Sequence, residues 1–253
     1  MAVKLLTDVE LRARWTRSRE KSITIEKGTI LTPAAKDFIH EQGIELIFAP
    51  ADGYAAETMT RTQIPTRNGK AFYVDAATGM ELSEKGENMT HLRGNILVPK
   101  TNPRIAFRGK LDSLQAQILE TQLAAENEKR HQVTAELDEL LAFVRMILSA
   151  EVREEPFAEI RLLNMDSKKI RHVSHCVKEE IGIDHPVPGY QMGELCVCLN
   201  KLRTQVRETE LAAVYAFTDE NGNCSRCDIV EALNRLSSCI YIIFCRTVAG
   251  QNQ

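Results

Sequence analysis

The amino-acid sequence predicts a mainly α protein: a five-helix up-and-down bundle preceded by a small α/β N-terminal unit and a connector. Three observations carry this. Near residue 105 Gly, Pro and Thr thin out, and apolar residues begin to recur at spacings of three and four. Clusters of turn residues then cut the remaining chain into lengths typical of bundle helices. The first hundred residues instead carry β-branched runs around a single helix start. The expected divisions are 1–57 for the α/β unit, 58–101 for the connector and 102–253 for the bundle.

In the N-terminal unit, Ile23-Thr24-Ile25 and Ile44 to Phe48 read as strands. Between them a helix starts at Thr32-Pro33, with Thr as cap and Pro in the first turn. The connector, Thr58 to Lys100, is rich in Gly, Thr and charge; one hairpin is expected around Ala77-Thr78-Gly79, and its length predicts mobility. The first bundle helix is expected from Gly109 to about Glu126, with Leu111, Leu114, Ile118 and Leu119 on its inner face. A second, Glu128 to Ala150, presents Val133, Leu137, Leu140, Leu141, Val144 and Leu148. A third spans Phe157 to Ile181 and stops at Gly182 and the Pro186, Pro188, Gly189 turn. The fourth covers Leu195 to Phe217, the polar insert Thr218 to Asn223 follows, and the fifth runs from about Asp228 to Val248.

Composition narrows the functional classes. Lys and Arg number 32 against 35 Asp and Glu, a net charge of −3, so no whole-protein nucleic-acid footprint is expected. No apolar run approaches the ~20 residues that span a bilayer. Met1 to Arg12 is too densely charged for a signal peptide, and the expected location is cytoplasmic, without a membrane. Seven cysteines, most of them in apolar helical stretches, suit reduced thiols rather than a disulfide framework. No Walker-type or Gly-x-Gly-x-x-Gly motif is present, so any phosphate site must be built another way.

The fourth helix contains Arg203-Thr204-Gln205-Val206-Arg207-Glu208-Thr209-Glu210. Arg203, Arg207 and Glu210 stand at i, i+4 and i+7 and therefore share one face, which is either a solvated charged face or a ligand surface. Lys100, Arg104, Arg108 and Lys110 flank the start of the first bundle helix and read either as an anion site or as a solvated linker. Asn234, inside an apolar stretch of the last helix, either satisfies a structural partner or points into a pocket. Cys224 and Cys227, with His172, His175 and His185 as further donors, allow a zinc or redox pair, but a lone Cys-x-x-Cys is a weak metal signal. Cys196 and Cys198 diverge by about 200° on a helix.

Taken in order along the chain, these motifs resemble the corrinoid (cobalamin) adenosyltransferases, and among them the ethanolamine-utilisation branch. The likeness rests on Pro99-Lys100 through Arg104 to Gly109-Lys110-Leu111-Asp112-Ser113-Leu114, on Pro188-Gly189, on Arg203-Thr204-x-x-Arg207-x-x-Glu210, and on Leu233-Asn234-Arg235-Leu236-Ser237. Ile30 to Phe38 resembles the leader of that branch, so the likeness spans nearly the whole chain. It implies a homotrimer of five-helix bundles with active sites between subunits. The implied reaction transfers the 5′-deoxyadenosyl group of ATP, with Mg²⁺, to the cobalt of reduced cobalamin and releases triphosphate. Carried over by position, Asp112 and Arg203 form a salt bridge across the interface, Lys100 and Arg207 hold phosphates, Asn234 contacts the nucleotide, and Glu210 orients the arginines. Phe157, Tyr190 and Phe217 are candidates for the aromatic of the corrin pocket. A cob(II)alamin reductase, ethanolamine ammonia-lyase and a bacterial microcompartment are the implied partners and setting.

One departure stands out. Members of this branch often carry a His and a Cys-Cys-x-x-Cys group that bind metal before the first bundle helix, whereas residues 67–91 here contain no cysteine. No structural iron or zinc is therefore expected. The rival reading is a non-catalytic helical scaffold or adaptor of an ethanolamine-utilisation microcompartment.

Overall fold

The computed structural model describes residues 5–6, 22–26, 30–42, 45–49, 65–67, 70–157 and 159–250. The chain forms two compact units, residues 1–63 and 64–253.

In the first unit β1 (Leu5–Leu6) pairs in parallel with β3 (Ile30–Leu31), and β2 (Ser22–Glu26) with β4 (Glu45–Ala49). Helix α1 (Pro33–Gln42) begins where expected, the Thr32 hydroxyl accepting from the Ala35 N–H at 3.3 Å. Ile44, the expected first residue of the second strand, lies outside the described residues, as do 58–64 of the connector.

The second unit opens with the small hairpin of β5 (Thr66–Arg67) and β6 (Lys70–Ala71). A four-stranded sheet follows, ordered β8 (Glu81–Leu82), β7 (Tyr73–Asp75), β10 (Ile96–Pro99), β9 (Met89–Arg93). The expected hairpin is the β7–β8 turn, closed by Asp75 Oδ1 accepting from the Ala77 and Thr78 N–H groups. The rest of the connector departs from the expected mobile linker, because β10 closes the sheet by pairing with both β7 and β9.

Four long helices build the bundle: α2 (Pro103–Asn127), α3 (His131–Arg153), α6 (Glu194–Phe217) and α7 (Cys227–Val248). Helix α2 packs between α3 and α6, and α6 packs between α2 and α7. Ion pairs Lys110–Glu208 and Glu120–Lys201 show that α2 and α6 run antiparallel. Leu111, Leu114, Leu137, Leu140, Leu202, Val206, Leu233 and Ile240 are fully buried between the helices. Each such side chain contributes about 1.5–3 kcal/mol through lost contact with water. Leu119, expected inside, is 49% exposed.

Two helix starts differ from expectation by more than one turn. Helix α2 begins at Pro103 rather than Gly109, because Asn102 Oδ1 accepts from the Arg104 N–H at 2.9 Å and Pro supplies the first helical position. The third helix is the larger correction: Phe157 and the residues from Glu159 to Asp166 are not helical. Strands β11 (Arg161–Leu162) and β12 (Met165–Asp166) form a hairpin there, turning through Leu163 and Asn164 at positive φ. Asp166 then caps α4 (Ser167–His175), accepting from the Lys169 N–H at 2.7 Å. After Cys176 comes the short α5 (Val177–Glu180). Helix α4 lies against α7, so this broken element takes the third place in the bundle.

Candidate functional site

Two clefts of the second unit bear on function. One, of about 450 Å³, is walled by Glu159, Asp166, Asp228 and Glu231, with Lys168 the one cation among its lining residues. Its charge repels a polyphosphate.

The other, of about 470 Å³, lies where α4, α6 and α7 meet. Helix α6 contributes Arg203, Arg207, Glu210 and Leu211, and α7 contributes Asn234, Ser237, Ser238 and Tyr241. Ser174 and His175, at the end of α4, close it. The α6 residues are held in place by a cap supplied from another part of the chain. Gly193, at φ +91°, has no side chain with which to cap α6, and Glu128 Oε1 accepts from the Leu195 N–H at 3.0 Å instead.

Within the cleft the two arginines differ. Arg203 donates to Asn200 Oδ1 at 3.1 Å, and its guanidinium carbon stands 5.8 Å from the centre of the Tyr241 ring. Arg207 is exposed and makes no hydrogen bond or ion pair with the described residues, while its neighbour Glu208 pairs with Lys110. Glu210 turns to α7 rather than to the arginines: its Oε1 accepts from Asn234 Nδ2 at 3.1 Å. Tyr241 packs against His185, their rings 5.9 Å apart and 12° from parallel, with hydroxyl and imidazole Nδ1 hydrogen-bonded at 2.6 Å. Burial, followed by the neighbouring Cys245 thiol, pushes the Tyr241 phenol up to about 12, so it stays neutral near pH 7.

The structure thus brings together Arg203, Arg207, Glu210 and Asn234 and leaves Asp112 and Lys100 elsewhere on the same chain. Asp112 is exposed on α2, on the face that also carries Leu119 and Leu123. Lys100 is exposed just after β10 and does not line the cleft. Arg104 and Arg108, read as part of an anion site or a solvated linker, are neither. Both donate to the fully buried Glu151 carboxylate, Arg104 Nε at 2.6 Å, and Arg104 Nη1 also reaches Glu154 at 2.7 Å. Burial opposes the charge on Arg104, but the Glu154 and Glu151 carboxylates outweigh it and hold its pKa above the ordinary arginine value. Arg93 joins through Glu154, and Arg108 donates to the His91 and Leu92 carbonyls, so the network pins β9 to the bundle.

The candidate aromatics fall outside the cleft: Phe157 packs edge-on against Phe143, Phe217 against Phe107, and Tyr190 is 84% exposed. Tyr241, Ser237 and Ser238 were signalled by their spacing from Asn234, at i+7, i+3 and i+4 on one helical face. His175 and Ser174 had no such signal. Cys227 Sγ donates to the Cys224 carbonyl at 3.4 Å, and among the described residues no three His, Cys, Asp or Glu side chains gather to hold a metal. No helix among the described residues is long and apolar enough to cross a membrane.

Fold and cleft together describe a helical-bundle protein with a cleft whose wall carries two guanidinium groups, Arg203 and Arg207. Residues 82–247 match the model of the cobalamin adenosyltransferase family, and the chain belongs to that family of transferases. It is similar to the corrinoid adenosyltransferase EutT of Salmonella typhimurium strain LT2, 28% identical over 251 residues, covering 96% of this chain and 92% of the relative. The corrinoid adenosyltransferase EutT of Escherichia coli K12 is 27% identical over 252 residues, covering 97% and 93%. No solved structure matches the chain.

Proposed function

We propose that the protein transfers the 5′-deoxyadenosyl group of ATP to the cobalt of a cob(I)alamin-type corrinoid, releasing triphosphate and supplying adenosylcobalamin to ethanolamine ammonia-lyase. The observation that carries this reading is that Arg203 and Arg207 share one cleft with the Glu210–Asn234 pair, in a chain of this family.

A Co(I) corrinoid supplies the attacking electron pair, so the carbon–cobalt bond forms as the C5′–oxygen bond breaks and that oxygen's electron pair leaves with triphosphate. The protein's work is to align C5′ with cobalt and to stabilise departing charge. Arg207, unpaired among the described residues, is suited to the phosphates, because a planar fork of donors matches phosphate oxygens. Arg203, held against Tyr241, forms the fixed side of the wall. Asn234 and Glu210 meet the nucleoside. Glu210 is the one carboxylate lining the cleft, which suits a Mg²⁺ ion carried mainly by phosphate oxygens and water rather than by a protein cage.

The site is completed by a second copy in a homotrimer. Leu119 and Leu123 on α2, and Leu211 and Tyr215 on α6, are large apolar side chains left 49–75% exposed. Asp112 stands in line with Leu119 and Leu123 at helical spacing, so covering that face by a neighbour delivers the carboxylate to the neighbour's Arg203. Lys100 reaches the phosphates from the same side. The protein works in the cytoplasm, in or beside an ethanolamine-utilisation microcompartment, with a cob(II)alamin reductase delivering the electron.

The test is loss of cob(I)alamin absorbance on addition of ATP and Mg²⁺, for wild type and Arg207→Ala. Decay in the wild type that slows strongly in the variant supports the reading; equal decay in both, or none in either, ends it.

A further inference from the structure

Asn234 is exposed at the cleft, and an amide can present either its oxygen or its nitrogen to a ligand. Here both ends are committed. Nδ2 donates to Glu210 Oε1 at 3.1 Å, and Oδ1 accepts from Arg235 Nη1 at 2.6 Å. The flipped amide would set its N–H groups against the Arg235 cation and its oxygen against the Glu210 carboxylate, which is unfavourable at both ends.

Arg235 does not line the cleft, and its side chain is only 12% exposed. Consecutive residues on a helix diverge by about 100°, so a guanidinium that bends back to its neighbour's amide needs an external hold. Helix α4 provides it. Arg235 Nε donates to Ser167 Oγ at 2.9 Å, and the Ser167 hydroxyl donates in turn to Glu231 Oε1 at 2.7 Å. The same Glu231 oxygen lies 3.7 Å from Arg235 Nη2.

We infer that Arg235 is a positioning residue: clamped by Ser167 and Glu231, it fixes the Asn234 amide so that the remaining Nδ2–H, and not the oxygen, faces the nucleotide. Asn234 therefore selects an acceptor atom on the nucleoside. Because Ser167 opens α4 and Ser174 and His175 close that helix at the cleft, the amide's orientation is tied to the placement of α4. This inference rests on the proposed use of ATP, and its test separates the two.

ATP affinity by calorimetry, and KM for ATP against kcat at saturating cob(I)alamin, are measured for wild type, Arg235→Gln, Asn234→Ala and the double variant. Losing one charge-assisted hydrogen bond should raise Kd and KM for ATP about tenfold in Arg235→Gln, with kcat within about threefold. In the double variant the arginine change should add nothing beyond Asn234→Ala, because the amide it orients is gone. Ser167→Ala, which keeps both the guanidinium and the fold, should raise KM by about threefold. An unchanged KM in Arg235→Gln, or full additivity with Asn234→Ala, overturns the inference; should Arg235→Gln fail to fold, an unchanged KM in Ser167→Ala does so. Wild-type protein that binds ATP with this coupling yet transfers no adenosyl group defeats the proposed reaction and leaves the positioning role standing.

Discussion

The Arg203 guanidinium carbon stands 5.8 Å from the centre of the Tyr241 ring, and that ring is in turn stacked on His185. A long cationic side chain is thereby held against a rigid aromatic surface at the edge of the cleft, so less freedom is lost when an anion binds. The ring provides the attraction to Arg203, while the hydroxyl bonds to His185 and the Cys245 thiol. Tyr241→Phe should accordingly stay within about threefold of wild type in kcat/KM, whereas Tyr241→Ala should lose about five- to thirtyfold. Steady-state kinetics on the two variants checks this; equal losses in both would mean that the hydroxyl carries the effect.

Arg207 has no partner to lose among the described residues, so its replacement leaves no buried charge behind. Arg207→Ala should keep the wild-type melting temperature within about 2 °C, since exposed substitutions rarely move stability. It should lower kcat/KM for ATP by about ten- to a hundredfold, the range for a charged hydrogen bond to phosphate. Arg207→Lys should recover part of that loss through its charge, but not the forked geometry. A large fall in melting temperature in Arg207→Ala would instead assign it a structural role.

Glu151 is the opposite case, a fully buried carboxylate answered by Arg104 and Arg108. Removing it leaves the largely buried Arg108 guanidinium without its carboxylate partner and Arg104 with Glu154 alone. Glu151→Ala should cost about 3–5 kcal/mol, which for a unit of this size lowers the melting temperature by about 10 °C. Thermal unfolding measures it directly. A shift under about 2 °C would show that water enters and replaces the carboxylate.

How far the sequence disclosed these features depended on whether their signal was local. The apolar spacing of Leu137, Leu140 and Val144 located α3, and the four-residue step from Arg203 to Arg207 placed both in one cleft. Asn102-Pro103 was also a local signal, since a cap followed by proline announces a helix start, and it places the beginning of α2 ahead of Gly109. The third helix failed for a different reason. Residues 157–166 have helix-compatible composition, but Phe157 packs on Phe143 and its N–H donates to Asp228, 71 residues away, so tertiary contacts outweigh propensity. Arg104 and Arg108 had the same difficulty: their partner Glu151 lies 47 and 43 residues further on. No helical spacing links those positions. Asp112 is a third kind: it is exposed on α2, and the role expected for it depends on the proposed neighbouring subunit.

The exposed apolar stripe gives that neighbour a test. Leu211 and Tyr215 are 69% and 75% exposed and one turn apart on α6, and apolar side chains of this size grouped on one face mark an interaction surface. Tyr215→Glu should leave the secondary structure intact while shifting sedimentation from trimer to monomer, because a charge buried in an interface without a partner is strongly disfavoured. Activity should fall with assembly, since Asp112 and Lys100 then have no neighbouring cleft to complete. A monomeric variant with full activity would place the whole site within one chain.

Acid should loosen the molecule at the junction of sheet and bundle and at the start of α7. Hydrogen bonding from the Arg104 guanidinium holds the Glu154 carboxyl below its ordinary range, against a smaller opposing effect of burial, with the charges of Arg104, Arg93 and Arg108 adding to it. Burial pushes Asp228 upward, but the Arg226 guanidinium and the Phe157 and Ile229 N–H groups outweigh it and leave its pKa lowered. A carboxyl whose folded pKa is depressed binds fewer protons folded than unfolded, so these two stabilise the protein above the ordinary carboxylate range and lose that contribution as pH falls through the folded values. Stability measured by denaturant titration should therefore decline from about pH 5 to pH 3. Glu154→Gln should reduce both the plateau near pH 7 and the steepness of the decline, because it removes one of the groups that must take up a proton. Since Glu154 is partly solvated, the difference at neutral pH should stay below about 1 kcal/mol. An unchanged pH profile in Glu154→Gln would show that other carboxylates govern the acid limb.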